Sequence, residues 1–574
     1  MSGQTNSVGG EKVPLVIGVT GHRDLLAEEL PVIRRRVQDL FAELQRQFPD
    51  LPILVMTPLA EGADRLVAEV ARDMGMPVEV LMPMPRELYQ ADFSGESLVE
   101  FDEMLRLGEI VELPLVPGNT EKTVAAGGRP RDLQYAQLGA YLAAHSHVLL
   151  AIWDGKPPEA VGGTAHVVQF HQHDVIELLA EGQHRSPIDF AEDESDLVFH
   201  IACSRLADGA PREPLQPGQA EWLTRDDVQP RTPQMPPRYR VVFERLVEFN
   251  RDLAEPIPAG SLDPLVTGDD ADHCGPGAED IERLYMVADF LARHYKKYRR
   301  RLQTATYALA VCAIMSFIVW ADLPDQEIMI YPYLGFIGLV IVLVYLERRK
   351  GWQRRSLEYR VLAEGLRVQF WWSMAGVVME NPSRFSHDSF LRQQDLELGW
   401  IRNVMRFAGR RADANIGNED GADTDLVARV WVADQKAYYQ SKSQERNRGS
   451  QLTSALVFAT FGVGVTVAII FAVFQAEIAA PWSNMLVALM GLLPFLAAVR
   501  QSYANSTAER EDFVQFGYMY RIFFNADRLL NSARTVDGRR DILRALGEAA
   551  LEEHGQWMLR QRERPAAGRV LQGG

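Results

Sequence analysis

The chain is predicted to combine two fold classes: an N-terminal α/β domain on a doubly wound parallel sheet, and an α-helical membrane part with four transmembrane helices. Three observations carry that expectation. Four segments, Leu302–Ala321, Ile328–Leu346, Leu452–Gln475 and Ile478–Val499, contain no Asp, Glu, Lys or Arg. Each is close to the roughly 20 apolar residues that a helix needs to cross a bilayer core. They fall into two pairs with short polar turns, and Leu302 and Leu452 open the pairs 150 residues apart. Upstream, residues 14–205 alternate short apolar runs with helix-period patterns, the element order of a parallel sheet.

Taken in order, residues 1–13 are polar and read as a disordered N-terminus, without the apolar core of a cleavable secretory signal. Strands are expected at Leu15–Val19, Ile53–Met56, Pro77–Leu81, His147–Ile152 and Leu197–Ala202. Glycine-bearing turns follow three of them. The first strand runs into a turn at Gly18–Arg23, where Gly21 allows close backbone approach and Thr20, His22 and Arg23 supply donors. Pro58-Leu-Ala-Glu-Gly-Ala-Asp-Arg65 follows the second strand and opens a helix over Leu66–Asp73. There Glu61 and Asp64 suit ribose hydroxyls, Gly62 and Ala63 keep the surface low, and Arg65 closes the motif. Trp153-Asp-Gly155 ends the fourth strand, and Val161-Gly-Gly-Thr164 begins a helix whose free N–H groups suit a phosphate. Open α/β sheets bind ligands where neighbouring strands end. The expected nucleotide-binding set is therefore Gly18, Thr20, Gly21, His22, Arg23, Glu61, Gly62, Ala63, Asp64, Arg65, Asp154, Gly155, Gly162, Gly163 and Thr164.

Residues 206–277 are expected to be a linker with a short helix (Arg238–Leu253), its proline-rich stretch Leu206–Pro237 crossing from sensor to helices. Two further acidic and histidine clusters lack ligand spacing. His166 and His173 lie two helical turns apart, too far to share a metal directly, although His171 and Asp174 are close enough to pair. Asp269, Asp270, Asp272 and His273 sit in a Gly/Pro-rich segment without EF-hand spacing. No metal site and no resident cofactor is expected.

The membrane part reads as two units, 278–411 and 426–560, joined by a linker over 412–425 and followed by a flexible C-terminus, 561–574. Leu284, Val287, Leu291, Tyr295 and Tyr298 mark one helical face running into the first span, and Leu362, Leu366 and Phe370 continue a face beyond the second. The second unit has corresponding helices over Trp431–Gly449 and Gln501–Leu530, with Arg360 and Arg510 in the same register; a further amphipathic helix is expected around Phe390–Phe407. Arg299-Arg300-Arg301, Arg348-Arg349-Lys350, Arg446, Arg448 and Arg500 border the spans, whereas the turn after Ala321 is acidic. By the positive-inside rule each pair is a hairpin with both ends in the cytoplasm. Gly335, Gly338, Gly462, Gly464 and Ser316 permit close helix approach, which suggests a homo-oligomer. Pro494 is expected to bend the fourth span. No charged residue inside the spans marks an ion or proton path, which argues against a carrier or pump and leaves a passive pore open.

A net charge of −17 argues against nucleic acid as a partner, since phosphate binding needs a basic surface. Cys203, Cys274 and Cys312 have neither ligand spacing nor a disulfide framework and point to a reducing compartment.

Gly-Val-Thr-Gly-His-Arg23, Glu-Gly-Ala-Asp-Arg65, Leu-Leu-Ala-Ile-Trp-Asp-Gly155 and Gly-Gly-Thr164 resemble the SLOG superfamily of Rossmann-like nucleotide sensors over about residues 14–205. The hairpins with amphipathic extensions, about 278–550, resemble the two-transmembrane SLATT effector domains that accompany such sensors. The resemblance implies an effector of a bacterial conflict system, such as anti-phage defence, in the cytoplasmic membrane. A nucleotide second messenger or NAD-derived ligand would gate an oligomeric pore or membrane-disrupting assembly. Some relatives hydrolyse nucleoside monophosphates with a Pro-Gly-Gly-x-Gly-Thr-x-x-Glu motif. Here Val167 stands where that Glu would fall, so a membrane-anchored hydrolase is the alternative reading and would need Glu61 or Asp64 as its acid.

Overall fold

The computed structural model describes residues 12–158, 162–173, 196–207, 209–224, 230–323, 326–379, 385–390, 396–414, 422–474, 476–506 and 509–563. Leu15–Gly21 (β1), Ile53–Thr57 (β2), Val78–Met82 (β3), Gly108–Glu112 (β4), Val148–Trp153 (β5), Leu197–Ala202 (β6), Ala220–Leu223 (β7) and Arg231–Thr232 (β8) form one sheet. Its order is β4-β3-β2-β1-β5-β6-β7-β8. Strands β4 through β6 pair in parallel, while β7 and β8 add antiparallel. Strands β2, β3 and β6 are buried along their whole length, as are β1 and β5 up to their last residue. That is why they read in sequence as unbroken apolar runs instead of alternating ones. Strand order runs outward from β1 in both directions, so the crevice of the sheet opens where β1 and β5 end side by side.

The five expected strands form within a residue or two of their predicted ends. Three others escape the pattern. β4 is an edge strand whose residues are mostly exposed, so it carries no apolar run. β7 and β8 lie in the stretch expected to be an extended crossing, and correct that expectation. β7 is held by Trp222, which is 1% exposed and packs edge-on against Phe199 with centroids 4.9 Å apart. The turn expected at Gly18–Arg23 is a second correction: β1 runs on through Gly21, so Gly18 lies inside the strand, opposite Met56 and Leu149, and the chain leaves the sheet only at His22.

The described residues cluster into two compact units, the first drawn from 1–288, 361–427 and 534–555, the second from 289–360, 428–533 and 556–574. In the first, the helix Gly399–Ala414 is buried along almost its whole length against the sheet layer. His147 is clamped there: the Val16 amide donates to Nδ1 at 3.1 Å, and Nε2–H donates to the Asn403 carbonyl at 2.9 Å. Burial and the nearby Arg406 push its pKa down to about 3, so the ring is neutral. Asn250 on the Pro237–Leu253 helix ties down Val13 through both backbone groups at 2.9 Å. Trp372 donates to the Leu543 carbonyl at 3.0 Å. A Cβ on Gly547 would lie 2.4 Å from that indole, so only glycine fits.

The second unit is helical, and among the described residues four helices are long and apolar enough to cross a membrane. Pro276–Asp322 contains the first segment expected from sequence, and Ile330–Lys350, Ala433–Phe474 and Ala480–Ser506 cover the other three to within two residues of their ends, Gln475 lying outside the described residues. Ile341, Phe458, Ile469 and Val473 are more than half exposed on these helices, a surface suited to lipid rather than water. Gly351, at φ +61°, ends Ile330–Lys350 in the left-handed conformation before Trp352–Ala375 begins. Arg360 pairs with Asp289 at 3.1 Å, and Tyr307 meets Ser502 at 3.1 Å. Lys436 pairs with Asp527 at 2.7 Å, binding Ala433–Phe474 to Glu509–Ser532. The helix expected near Phe390 begins only at Gly399, after short 3₁₀ turns at Ser386–Ser389 and Leu396–Leu398. Asp174, Val161 and the 415–421 part of the linker over 412–425 lie outside the described residues.

Candidate functional site

Three loops meet at the crevice beyond β2, β1 and β5. Their backbones are stitched together: the His22 amide donates to the Ile152 carbonyl, and the His22 carbonyl accepts from the Ala63 amide, both at 3.1 Å. This closeness dictates small residues. A Cβ on Gly21 would fall 2.3 Å from the Ala63 Cβ, and one on Gly62 would fall 2.4 Å from the Arg23 carbonyl oxygen. Gly62 also sits at φ +78° as the residue before the Ala63–Asp73 helix, a conformation that L residues rarely adopt.

The loops enclose a cavity of about 450 Å³, within the range of small-molecule sites. Of the expected residues, Thr20, Gly21, His22, Arg23, Asp64, Asp154, Gly162, Gly163 and Thr164 line it. The others support it from behind. Gly18 faces Ser146. The Glu61 carboxylate accepts from the Ser97 hydroxyl. Ala63 packs under Gly21, and Arg65 donates to the Leu59 carbonyl at 3.1 Å and to Glu100 at 2.5 Å. Gly155, at φ +77°, faces Leu215.

Arg23 makes no ion pair among the described residues; its guanidinium lies 6.0 Å from the centroid of the Tyr135 ring, with the head exposed to the cavity. His22 is held more tightly. The Asp154 amide donates to Nε2 at 3.2 Å, which assigns the proton to Nδ1. Burial pushes the His22 pKa below the usual value, although the Asp154 carboxylate, also at 3.2 Å, pulls it upward. Burial acts on Asp154 in the opposite direction, but the Lys156 amide and His22 outweigh it and keep that carboxylate ionised.

Asp64 is the site's unusual group. It is 3% exposed, lines the cavity, and its Oδ1 has no hydrogen-bond partner. Burial raises its pKa to about 7, against the pull of Arg23, the Ala60 amide and Arg65. Gly162, Gly163, Thr164 and Ala165 also line the cavity, at the start of the Thr164–His173 helix, where the first amides have no partner within the helix. The cavity thus offers a cation, helix-start amides and a carboxyl able to donate or accept.

Sequence reasoning missed several lining residues. Tyr89 and Tyr135 come from helices outside the motifs, and Tyr89 donates to the Pro58 carbonyl at 3.0 Å. Arg205 reaches in from the segment after β6 and pairs with Asp24 at 3.0 Å. Lys156 and the prolines after it continue the third loop. Lys156 had a sequence signal, its place one residue past the Trp-Asp-Gly motif, as did the lining residues Pro58, Ala60 and Trp153 inside the motifs themselves. Among the histidines weighed for metal, His171 donates from Nδ1–H to the Ala143 carbonyl at 2.9 Å, a structural bond.

The chain matches no protein-family model and no curated protein.

Proposed function

We propose that this chain is a membrane effector whose cavity binds a nucleotide-derived ligand, and that binding changes the state of the membrane-spanning helices. The observation that carries the reading is the meeting of Arg23, Asp64 and the Gly162–Thr164 helix start around one cavity at the crevice between β1 and β5. Phosphate suits the free guanidinium and amides; ribose or base edges suit the Asp64 carboxyl. Chain order and motifs support a Rossmann-like, doubly wound SLOG-type sensor. The paired spans with their basic borders support two SLATT-type hairpins with cytoplasmic ends, in a bacterial cytoplasmic membrane. In this reading the ligand is a nucleotide second messenger or an NAD-derived compound, the assembly is a homo-oligomer, and its role is anti-phage defence by a gated pore or membrane disruption. The ligand acts only by preferring one state, because equal affinity for both shifts nothing.

The test is calorimetry of the full chain with a panel of nucleotides, followed by dye release from vesicles carrying the protein. A nucleotide that binds and triggers release is expected. Binding without release removes the pore while keeping the sensor; no binding across cyclic, linear and ADP-ribose ligands removes the sensor.

One observation favours a second reading. A buried carboxyl with a pKa near 7 is the environment of a general acid or base, so Asp64 keeps a nucleotide hydrolase in play despite Val167. Chromatography of nucleoside monophosphates and NAD after incubation separates the two: unchanged substrates exclude hydrolysis.

A further inference from the structure

His145, His387 and Asp413 converge in the sheet-bearing unit, outside the cavity lining. All three residues are buried, and one ligand atom from each lies within 4.8 Å of the other two. The His145 side chain is oriented for coordination. The His145 ring bonds the Arg406 carbonyl through Nδ1 at 3.0 Å, which assigns the proton to that nitrogen and turns the lone pair of Nε2 toward Asp413 Oδ2 at 3.4 Å. A backbone carbonyl on the far nitrogen is the usual companion of a metal-bound imidazole, because it fixes the tautomer and raises the basicity of the ligating nitrogen. The His387 ring stands 5.1 Å from that of His145, centroid to centroid. Phe385 stacks on His387 at 6.0 Å and closes over His145 at 5.0 Å, forming an apolar wall.

We propose that His145, His387 and Asp413 bind a divalent first-row transition-metal cation, with zinc the best match. Two imidazoles and one carboxylate are the donor set of zinc-class ions, whereas magnesium and calcium take oxygen ligands. The distances fit with little movement. Three atoms within 4.8 Å of one another have a common centre at most roughly 2.8 Å from each, against metal–ligand bonds of about 2.0–2.2 Å. Side-chain shifts of under about 1 Å close that gap, and the 3.4 Å between Nε2 and Oδ2 already matches two corners of a tetrahedron. The ion acts as a clip. His145 ends the Arg129–His145 helix, Asp413 lies near the end of Gly399–Ala414 and His387 sits in the Ser386–Ser389 turn, so coordination joins two helices and a 3₁₀ turn within this unit. A buried His–Asp pair with a stacked second imidazole is the competing description, and it needs no ion.

Elemental mass spectrometry of the full chain, purified in detergent through a tag without histidine, decides between them. About one equivalent of metal per chain is expected. It should be lost in His387→Ala and reduced in the milder Asp413→Asn, with helical content checked by circular dichroism. Chelation should lower the melting temperature, and Zn2+, but not Mg2+, should restore it. Loading with Co2+ should give visible ligand-field bands that His387→Ala lacks, a readout that does not depend on stability. A chain that carries no metal as purified, shows no cobalt bands and melts alike with and without chelator overturns the proposal. So does metal retained undiminished in both variants.

Discussion

Glu79 in β3 and Arg410 in the Gly399–Ala414 helix form a 3.0 Å ion pair, with side chains 2% and 9% exposed. Arg410 also donates to the Phe407 carbonyl at 2.9 Å, and its neighbour Arg411 bonds Glu109 in β4 at 2.6 Å. Breaking a buried pair from one side strands the other charge. Arg410→Ala should therefore destabilise this unit by about 3–5 kcal/mol, read as a lower melting temperature of the solubilised protein. Burial already raises the Glu79 pKa with the cation present. Without it the pKa rises further, so the loss should be larger at pH 8 than at pH 5. Replacing both residues together, Glu79→Gln with Arg410→Met, should recover most of the stability. A double variant no better than Arg410→Ala would mean that the pair is not what holds the helix to the sheet.

Asp64 gives a pH dependence with a definite sign. Its pKa is about 7 in the folded protein against an ordinary value of 3.8. Between those values the folded state binds more protons than the unfolded state, so this group makes stability fall as pH rises from about 4 to about 7, and level off above. The full effect is on the order of 4 kcal/mol. Asp64→Asn should remove that slope and melt higher than the parent at pH 8, with little difference at pH 4. The same variant should weaken nucleotide binding, because it costs the site an acceptor. Equal melting curves for parent and variant across pH 4–8 would contradict the raised pKa.

How far the sequence foretold these features depends on whether the signal was local. β1, β2 and β5 were legible because strands covered on both faces are apolar without interruption, and the turns after them because each needs glycine where backbones nearly touch. The four helices long and apolar enough to cross a membrane were legible from length and lack of charge alone. β4 was not, since an edge strand exposes its residues, nor were β7 and β8, at four and two residues. Tyr135 and Arg205 reach the cavity from distant segments, which no spacing rule records. The His145–His387–Asp413 cluster was illegible for the same reason: its members come from three separate stretches of chain.

Gly62→Ala tests whether the cavity depends on backbone closeness. The new Cβ would meet the Arg23 carbonyl oxygen at 2.4 Å, and alanine is strained at φ +78°. Held residues in such conformations cost of order 1–3 kcal/mol, and the cheapest relief is to push the Arg23 loop outward. Nucleotide affinity should fall at least tenfold, while the helices of the membrane unit keep their far-ultraviolet signal. Arg23→Ala and Gly163→Asp should abolish binding without altering membrane insertion. Normal affinity in all three variants would move the ligand site elsewhere.

The glycines of the spans divide into two kinds, and the division makes a prediction about assembly. A Cβ on Gly464 would lie 3.2 Å from Pro494 Cδ, so this glycine lets Ala433–Phe474 approach Ala480–Ser506 within one chain. Gly335, Gly338 and Gly462 have nothing within 4 Å. Small residues on lipid-facing helices are the usual place for a second helix to pack closely, and at these positions that helix would have to come from another copy. Gly464→Ile should overpack the chain itself and cost about 1–3 kcal/mol, seen as a lower melting temperature at any protein concentration. Gly338→Ile should leave the monomer's melting unchanged and instead shift the particle to a smaller size by light scattering in detergent, with vesicle dye release lost in parallel. If Gly338→Ile and Gly462→Ile both assemble and release dye as the parent does, the open glycines serve lipid contact alone, and any oligomer must form through another face.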